Sequence, residues 1–505
     1  MRKATFFILI VGLMFPMMFS VKTMSGQGVT NDTLKAHITT IKDKIAGVEE
    51  RLATAEGDLA KLTKIKISGY VQAQWQHFEN ASLYPNNYFT VRRARFKLQY
   101  EPSAGVAFVM QPDFQPGNFV IKEAYAKLND RWLKTFSLWV GKFNRPNYEV
   151  EVSSSDLEVL ERSRVITTLY PGEYAIGAKL EVAPPSIPLK FQLAVFNGND
   201  NMTIADASGA NINPDNKDFD NAKDIMARLT YGFKFGQWGG LTIGAHGYFG
   251  MLKATTDTIL KSDYTVDKSV KVGQYLNRTW GGVEAQFYAD LLGGLTIKGE
   301  YIMGVNATPG FSSSTSATSP ITATFNGTKD TLTMLTTVTK TNVYRPNILK
   351  SFSGYYVYLV KNIGKHNQFA VRYDYYDPNS KIAGSDIGVK GYGANKTTTT
   401  STSATSAGSP VIINKSVTNT TNSYAFKSGS GDIAYGTLAL AWSYYFDDNI
   451  KISLEYEFPM NEKVGTTNGV GNVTTKYSVN GVPGVLDYSQ VFTQRALTLR
   501  IQAKF

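Results

Sequence analysis

The chain has 505 residues, no cysteine and a formal net charge of +11 at neutral pH. Without cysteine there is no disulfide framework and no thiol chemistry, and beyond the N-terminal segment no apolar run reaches the roughly 18 residues that a membrane-crossing helix needs. The basic residues are dispersed, with Arg92, Arg93 and Arg95 as their densest cluster, so no basic tract points to nucleic acid.

Met1-Arg2-Lys3 precedes an apolar stretch from Ala4 to about Phe19, the n- and h-regions of a signal peptide. Removal of residues 1–25 takes Arg2, Lys3 and Lys22 and leaves +11 − 3 = +8. Residues 31–63 are polar apart from one stripe. Ile38, Ile45, Leu52 and Leu59 occupy heptad position a, and Leu34, Ile41, Val48, Ala55 and Leu62 occupy d. This spacing predicts a short α-helical coiled coil, and isoleucine at both positions favours three strands. Asn31 or Asp32 can cap its start.

From residue 66 onward the pattern becomes one of alternation. Segments 66–78, 88–101, 104–114, 117–129, 135–144, 173–183, 188–198, 222–235, 238–252, 272–290, 293–306, 347–361, 366–377, 432–446, 449–459 and 493–505 place apolar residues at every second position, the period of a strand with two different faces. Connections alternate too: short turns such as Pro102-Ser103, Gly236-Gln237 and Asp447-Asp448 are followed by long loops such as 199–221, 307–346 and 378–431. A soluble sandwich has no reason to sort loop length by parity, whereas a transmembrane β-barrel does. The expectation is an all-β transmembrane barrel over 66–505 with about 16 antiparallel strands, wide enough for an aqueous lumen. The Thr/Ser-rich loops are expected outside, where they can also form short hairpins.

Strand parity assigns Arg93, Arg95, Lys97, Lys127, Lys179, Lys190, Arg228, Lys298, Arg372 and Arg500 to the pore lining, together with Lys234, Lys451 and Lys504. Facing them are Glu123, Glu173, Glu181, Glu284, Glu300, Asp374, Glu455 and Glu457. The surplus of cations favours anion passage, against the alternative of a mixed-charge lumen with weak selectivity. Arg92 has the wrong parity, so it belongs at the headgroup interface unless a β-bulge turns it inward. The charged connection 145–172 reads differently from the other loops. Ser153 to Arg162 resembles a capped helix with Asp156 in its first turn. A helix-bearing loop of this kind can fold inward, making Arg145, Glu149, Glu151, Glu158, Glu161, Arg162 and Arg164 candidate constriction charges. The alternative leaves them on the outer surface. His37, His77, His246 and His366 form no pair at metal-ligand spacing and meet no serine elbow. No catalytic residue, metal or cofactor is therefore expected.

Phe89-Thr-Val-Arg-Arg-Ala-Arg-Phe96, Glu123-Ala-Tyr125, Val140-Gly-Lys-Phe143, Leu160-Glu-Arg-Ser163 and Pro171-Gly172 before Ile176-Gly177 resemble, in their order, the phosphate-selective porin O and P family of Gram-negative outer membranes. That resemblance implies a homotrimeric sixteen-stranded porin with inward-folded loops and a basic lining that includes Arg93 and Arg95. It also implies a channel, not an enzyme. The terminal Phe505 resembles the signal read by the barrel assembly machinery. The N-terminal coiled coil resembles periplasmic ones of related porins. The chain departs from the family at Glu173-Tyr174, where members often carry Arg or Asp. The expected function is passive diffusion of small hydrophilic solutes, with anion preference. A dedicated phosphate or polyphosphate channel is the first alternative, and a non-conducting tether or adhesin the second. Outer-membrane lipid and the other copies of a trimer are the expected partners.

Overall fold

The computed structural model describes residues 31–79, 86–115, 117–198, 218, 220–291, 293–325, 328–387, 391–393, 396–398, 418–423, 425–428, 430–462, 474–479, 482–487 and 495–505. The expected signal peptide, 1–25, lies outside these residues. The chain divides into two units, Met1–Lys64 and Ile65–Phe505.

The described part of the first unit is one helix, α1 (Asn31–Leu62), with Asp32 in its first turn, where a carboxylate suits the positive end of the helix dipole. Its stripe residues Ile38, Ile41, Ile45, Val48 and Leu52 are all exposed on the single chain. The side chains of Leu34, Leu59 and Leu62 lie outside those described. A lone helix of this composition is marginal in water, so the stripe needs a partner surface to bury it.

The second unit has sixteen wall strands: β1 (Ile65–Phe78), β2 (Asn87–Ser103), β3 (Val106–Gln115), β4 (Asn118–Asn129), β5 (Phe136–Asn144), β6 (Tyr174–Val182), β7 (Leu189–Asn197), β8 (Lys223–Lys234), β9 (Gly239–Lys253), β10 (Tyr275–Ala289), β11 (Leu295–Thr308), β12 (Asn347–Ile363), β13 (Asn367–Asp377), β14 (Tyr435–Tyr445), β15 (Ile450–Asn461) and β16 (Ala496–Lys504). Each pairs antiparallel with its chain neighbours, and β16 returns to β1 from Tyr70↔Lys504 to Phe78↔Ala496. Gly69 and Phe505 complete the seam by exchanging N–H···O bonds of 3.0 Å in both directions. A closed barrel leaves no open edge, which is what a bilayer interior demands. Each expected strand is found within a few residues of its predicted ends.

The short turns follow from local chemistry. Asp130 accepts the backbone N–H groups of Trp132 and Leu133, and Asp447 accepts those of Asn449 and Ile450, the Asx geometry that closes a tight turn. Gly236 and Gly364 supply left-handed backbone in two others. On the long-loop side, Phe311–Phe325 and Thr328–Arg345 form the hairpin that the Thr/Ser-rich composition permitted. Asn347 ties neighbouring loops together there: its amide accepts from Thr255 and Gly310 and donates to the carbonyls of Thr256 and Thr258.

Polarity is inverted relative to a soluble protein. Ile243, Val283, Val357, Phe369 and Ile501 are exposed on the outer face, while Gln72, Arg93, Arg95, Lys179 and Glu300 are buried inside. Exposed apolar surface on this scale belongs against lipid.

Gly141 has φ +128, and a Cβ there would stand 2.3 Å from the Ala124 carbonyl oxygen. Gly141→Ala should lower barrel stability by about 2 kcal/mol or more. Gly364→Ala, at φ +63 with nothing within 4 Å, should lose only about 1 kcal/mol. Urea unfolding in detergent micelles, followed by tryptophan fluorescence, measures both.

Candidate functional site: a charged segment folded inside the barrel

Between β5 and β6 the chain turns into the barrel instead of away from it. Asn147 caps α2 (Tyr148–Glu151), its side chain accepting the Val150 N–H, and α3 (Arg164–Leu169) follows. The expected helix over 153–162 does not form. Those residues run as turns and coil, with the Asp156 N–H bonded to the Ser153 carbonyl and several other backbone groups bonded to side chains of the wall. The Leu160 N–H goes to Glu455 and the Leu160 carbonyl to Arg500. The Ser155 carbonyl accepts Lys451 and Gln502, and Leu157 also accepts Lys451. These bonds supply partners that a helix would otherwise provide.

Arg162 organises the segment from within. Its guanidinium donates to the carbonyls of Glu149 (2.9 Å) and Val152 (2.5 Å), to Ser154 Oγ (3.0 Å) and to Glu173 (2.7 Å). Glu149 points back, accepting both the N–H (3.1 Å) and the hydroxyl (2.5 Å) of Ser163, and also the Tyr358 hydroxyl. The apolar side of the segment, Val150, Val159, Val165, Ile166, Leu169 and Tyr170, packs on Phe196, Met226, Tyr248, Trp280, Ile302, Phe352, Tyr356 and Tyr358 of the wall. A barrel interior thus acquires a hydrophobic core on one side of its lumen.

The polar side meets the predicted lining. Glu161 accepts Arg92 (2.9 Å), Arg93 (2.8 Å) and Arg500 (2.7 Å). Glu158 takes Lys298 at 2.7 Å. Glu151 takes Lys190 (3.0 Å) and Arg228 (2.7 Å). Arg372 is held by Asp374 at 2.8 Å and Arg95 by Asp113 at 3.0 Å, while Lys97 pairs with Glu123 at 2.7 Å. Lys179 lies 3.5 Å and Lys127 4.9 Å above the Trp139 ring, a cation–π arrangement. Arg145 donates to the Pro171 carbonyl, and Arg164 is exposed, with its guanidinium 3.9 Å over Tyr435. Arg93, Arg95, Lys179, Arg228, Lys298, Arg372 and Arg500 are buried, and they form no open ladder of positive charge, because carboxylates of the wall and of the inward segment meet them.

Burial alone would push the Glu161 carboxyl upward. The guanidiniums of Arg93, Arg500 and Arg92 outweigh it and hold the group well below the usual carboxylate range. For Glu151, Arg228, Lys190 and Lys179 overcome burial in the same way.

Several inward residues escape parity. At Gln72/Ala73 the register of β1 on β2 slips, so that Gln72 faces Arg93 and Ala73 faces Val91. Arg92 is the bulged residue, and it turns in to Glu161. A second slip at Gln111/Pro112 frees Lys122, half-buried and 5.9 Å from the Tyr174 ring. The second bulge had a sequence signal, since Pro112 cannot donate to a ladder; the first had none. Asp113, Asp224 and Arg278 are buried lumen charges as well. Parity alone finds Asp224 and Arg278.

A closed sixteen-stranded barrel with a lipid-ready exterior and a charged interior crossed by one inward segment is a transmembrane channel of the porin class. The model of the phosphate-selective porin O and P family matches residues 65–257. No curated protein matches the chain. Among solved structures it is similar to OmpT of Vibrio cholerae in its trimer form (10% identity, 87% of this chain and 99% of that one, TM-score 0.44). It is also similar to an anion-selective porin from Comamonas acidovorans (8%, 87% and 99%, 0.44) and to the outer-membrane channel DcaP of Acinetobacter baumannii (11%, 87% and 97%, 0.45).

Glu161→Gln should leave three guanidiniums without their shared anion and raise anion over cation permeability by about two- to tenfold, read as a reversal potential across a salt gradient. Because the folded pKa of Glu161 is depressed, its ion pairs are fully present above the unfolded-chain value of about 4.3. They are lost only as pH falls through the lower folded value. The permeability difference between wild type and Glu161→Gln should therefore stay constant from pH 8 to about 4.5, and a difference that vanishes within that window would remove Glu161 as the fastening group.

Proposed function

We propose that this porin passes small hydrophilic solutes by diffusion around the inward segment 145–172, with a modest preference for anions. The observation that carries the reading is the pairing of Glu161 with Arg92, Arg93 and Arg500. It joins the segment to a wall that is richer in cations than in carboxylates, and it consumes part of that surplus. Selectivity then comes from the lumen width and the residual charge. Arg145, Glu149, Glu151, Glu158, Glu161, Arg162 and Arg164 serve in this reading as the constriction. The same arginine trio supports a second reading, a channel directed at phosphate, in which a multivalent anion competes with Glu161 for the guanidiniums.

The assembly is read as a homotrimer. The exposed stripe of α1, with Ile38, Ile41, Ile45, Val48 and Leu52, is suited to a three-stranded coiled coil in the periplasm, and Leu59 continues the repeat in sequence. Phe505, exposed at the barrel seam, is the segment offered to the assembly machinery.

Planar-bilayer recording of the purified protein tests the proposal. Open, ohmic channels with a reversal potential on the anion side are expected. Arg93→Ala together with Arg95→Ala should move that potential toward the cation side, and a barrel that carries no current would end both transport readings. Phosphate at millimolar concentration should block chloride current only if the phosphate-directed reading holds. Deletion of residues 31–63 should lower the temperature at which trimers dissociate in detergent, and unchanged dissociation would assign α1 another task.

A further inference from the structure

Three neighbouring strands bring together residues that lie far apart in sequence. Glu284 on β10 stands directly opposite Glu300 on β11, and His246 on β9 stands opposite Gly282, two residues away on the same face of β10. One ligand atom from each of His246, Glu284 and Glu300 lies within 4.8 Å of the others, and all three residues are buried. We propose that these residues bind one divalent transition-metal cation, zinc by the nature of the donors, at the wall where both ends of the inward segment are fastened.

Geometry, charge and supporting contacts favour a cation. His246 Nδ1 is buried without a hydrogen-bond partner and stands 3.1 Å from Glu300 Oε1, so a ring nitrogen and a carboxylate oxygen converge on one spot. Charge is the second argument. Glu284 and Glu300 bring two carboxylates, while Arg228, the cation in contact with Glu284, is shared with Glu151. With both carboxylates ionised, the pair carries one negative charge more than Arg228 supplies, and buried charges must be paired or bound to metal. A divalent cation with a neutral imidazole and two carboxylates is electrically balanced. Arg228 retains Glu151 when Glu284 turns to the metal.

The surroundings already orient the donors. Glu300 accepts Asn147 Nδ2 (2.7 Å) on one oxygen and the Tyr356 hydroxyl (2.6 Å) on the other, and His246 Nε2 stands 3.4 Å from the Tyr170 hydroxyl. Outer contacts of this kind fix the direction of metal ligands. Space is kept open by glycine: a Cβ on Gly282 would lie 2.4 Å from the His246 ring, and one on Gly244 2.9 Å from Glu284 Oε1. One imidazole with two carboxylates suits zinc, which accepts three protein ligands and a fourth from solvent. Calcium, with six to eight oxygen ligands, is not served. Asn147 opens the inward segment and Tyr170 closes it, so a cation here anchors both ends.

The test uses the full-length protein in detergent, stripped with chelator and then dialysed against zinc chloride. About one zinc per chain should remain after gel filtration, and cobalt in its place should give the visible absorption of a tetrahedral nitrogen–oxygen site. Glu300→Gln and His246→Gln should each weaken zinc binding at least about tenfold. Their folding is checked by heat-shifted migration on gels. Wild-type protein that retains no zinc, or variants that retain as much as wild type, would overturn the proposal and leave a shared proton between the carboxylates. Should both variants misfold, wild-type stoichiometry and the cobalt spectrum decide alone.

Discussion

The structure depends on one constraint: a barrel that shows lipid its apolar side chains must satisfy its charges inside. Arg93, Arg95, Arg372 and Arg500 are buried, and each has a carboxylate within reach. A single connection, 145–173, supplies many of the partners. Its carboxylates answer arginines and lysines on β2, β7, β8, β11 and β16, so the segment is as much a product of the wall's charge as an addition to it. Buried pairs of this kind contribute little net stability but are costly to break singly. They therefore fix where the segment lies more than how strongly the barrel holds.

The segment answers two demands with two faces. Its apolar residues bury aromatic wall positions that would otherwise face water, and Tyr248 stacks on Trp280 with ring centroids 3.7 Å apart beneath it. Its polar face keeps Glu161 a third exposed while holding three guanidiniums. The lumen is thereby narrowed on one side by packed hydrocarbon and bounded on the other by charges already partly neutralised. In the proposed function a solute meets a wall with restrained polarity, the arrangement of a sieve with a slight electrical bias rather than a strong anion filter.

Closure and constriction are linked through β1, β2 and β16. The strands that seal the barrel at Gly69 and Phe505 also carry Gln72, Arg93 and Arg500, which hold Ser154, Leu160 and Glu161. The segment thus spans the seam, and the strands that meet there form part of its binding surface.

The sequence by itself determined the strands, their number and the sidedness of their loops, because alternation and turn chemistry are local and each strand repeats them. It also determined which face of most strands is wet, and so most of the lining. Three things were decided only by tertiary structure. The bulge that turns Arg92 inward arises from how β1 and β2 register, and no proline or glycine marks it. The 153–162 stretch reads as a capped helix in sequence, yet Glu455, Lys451, Arg500 and Gln502 offer its backbone partners, and those partners come from distant strands. The meeting of His246 with Glu284 and Glu300 likewise depends on the stagger of three strands. Local pattern fixes which way a side chain points, and only the closed barrel fixes what it finds there.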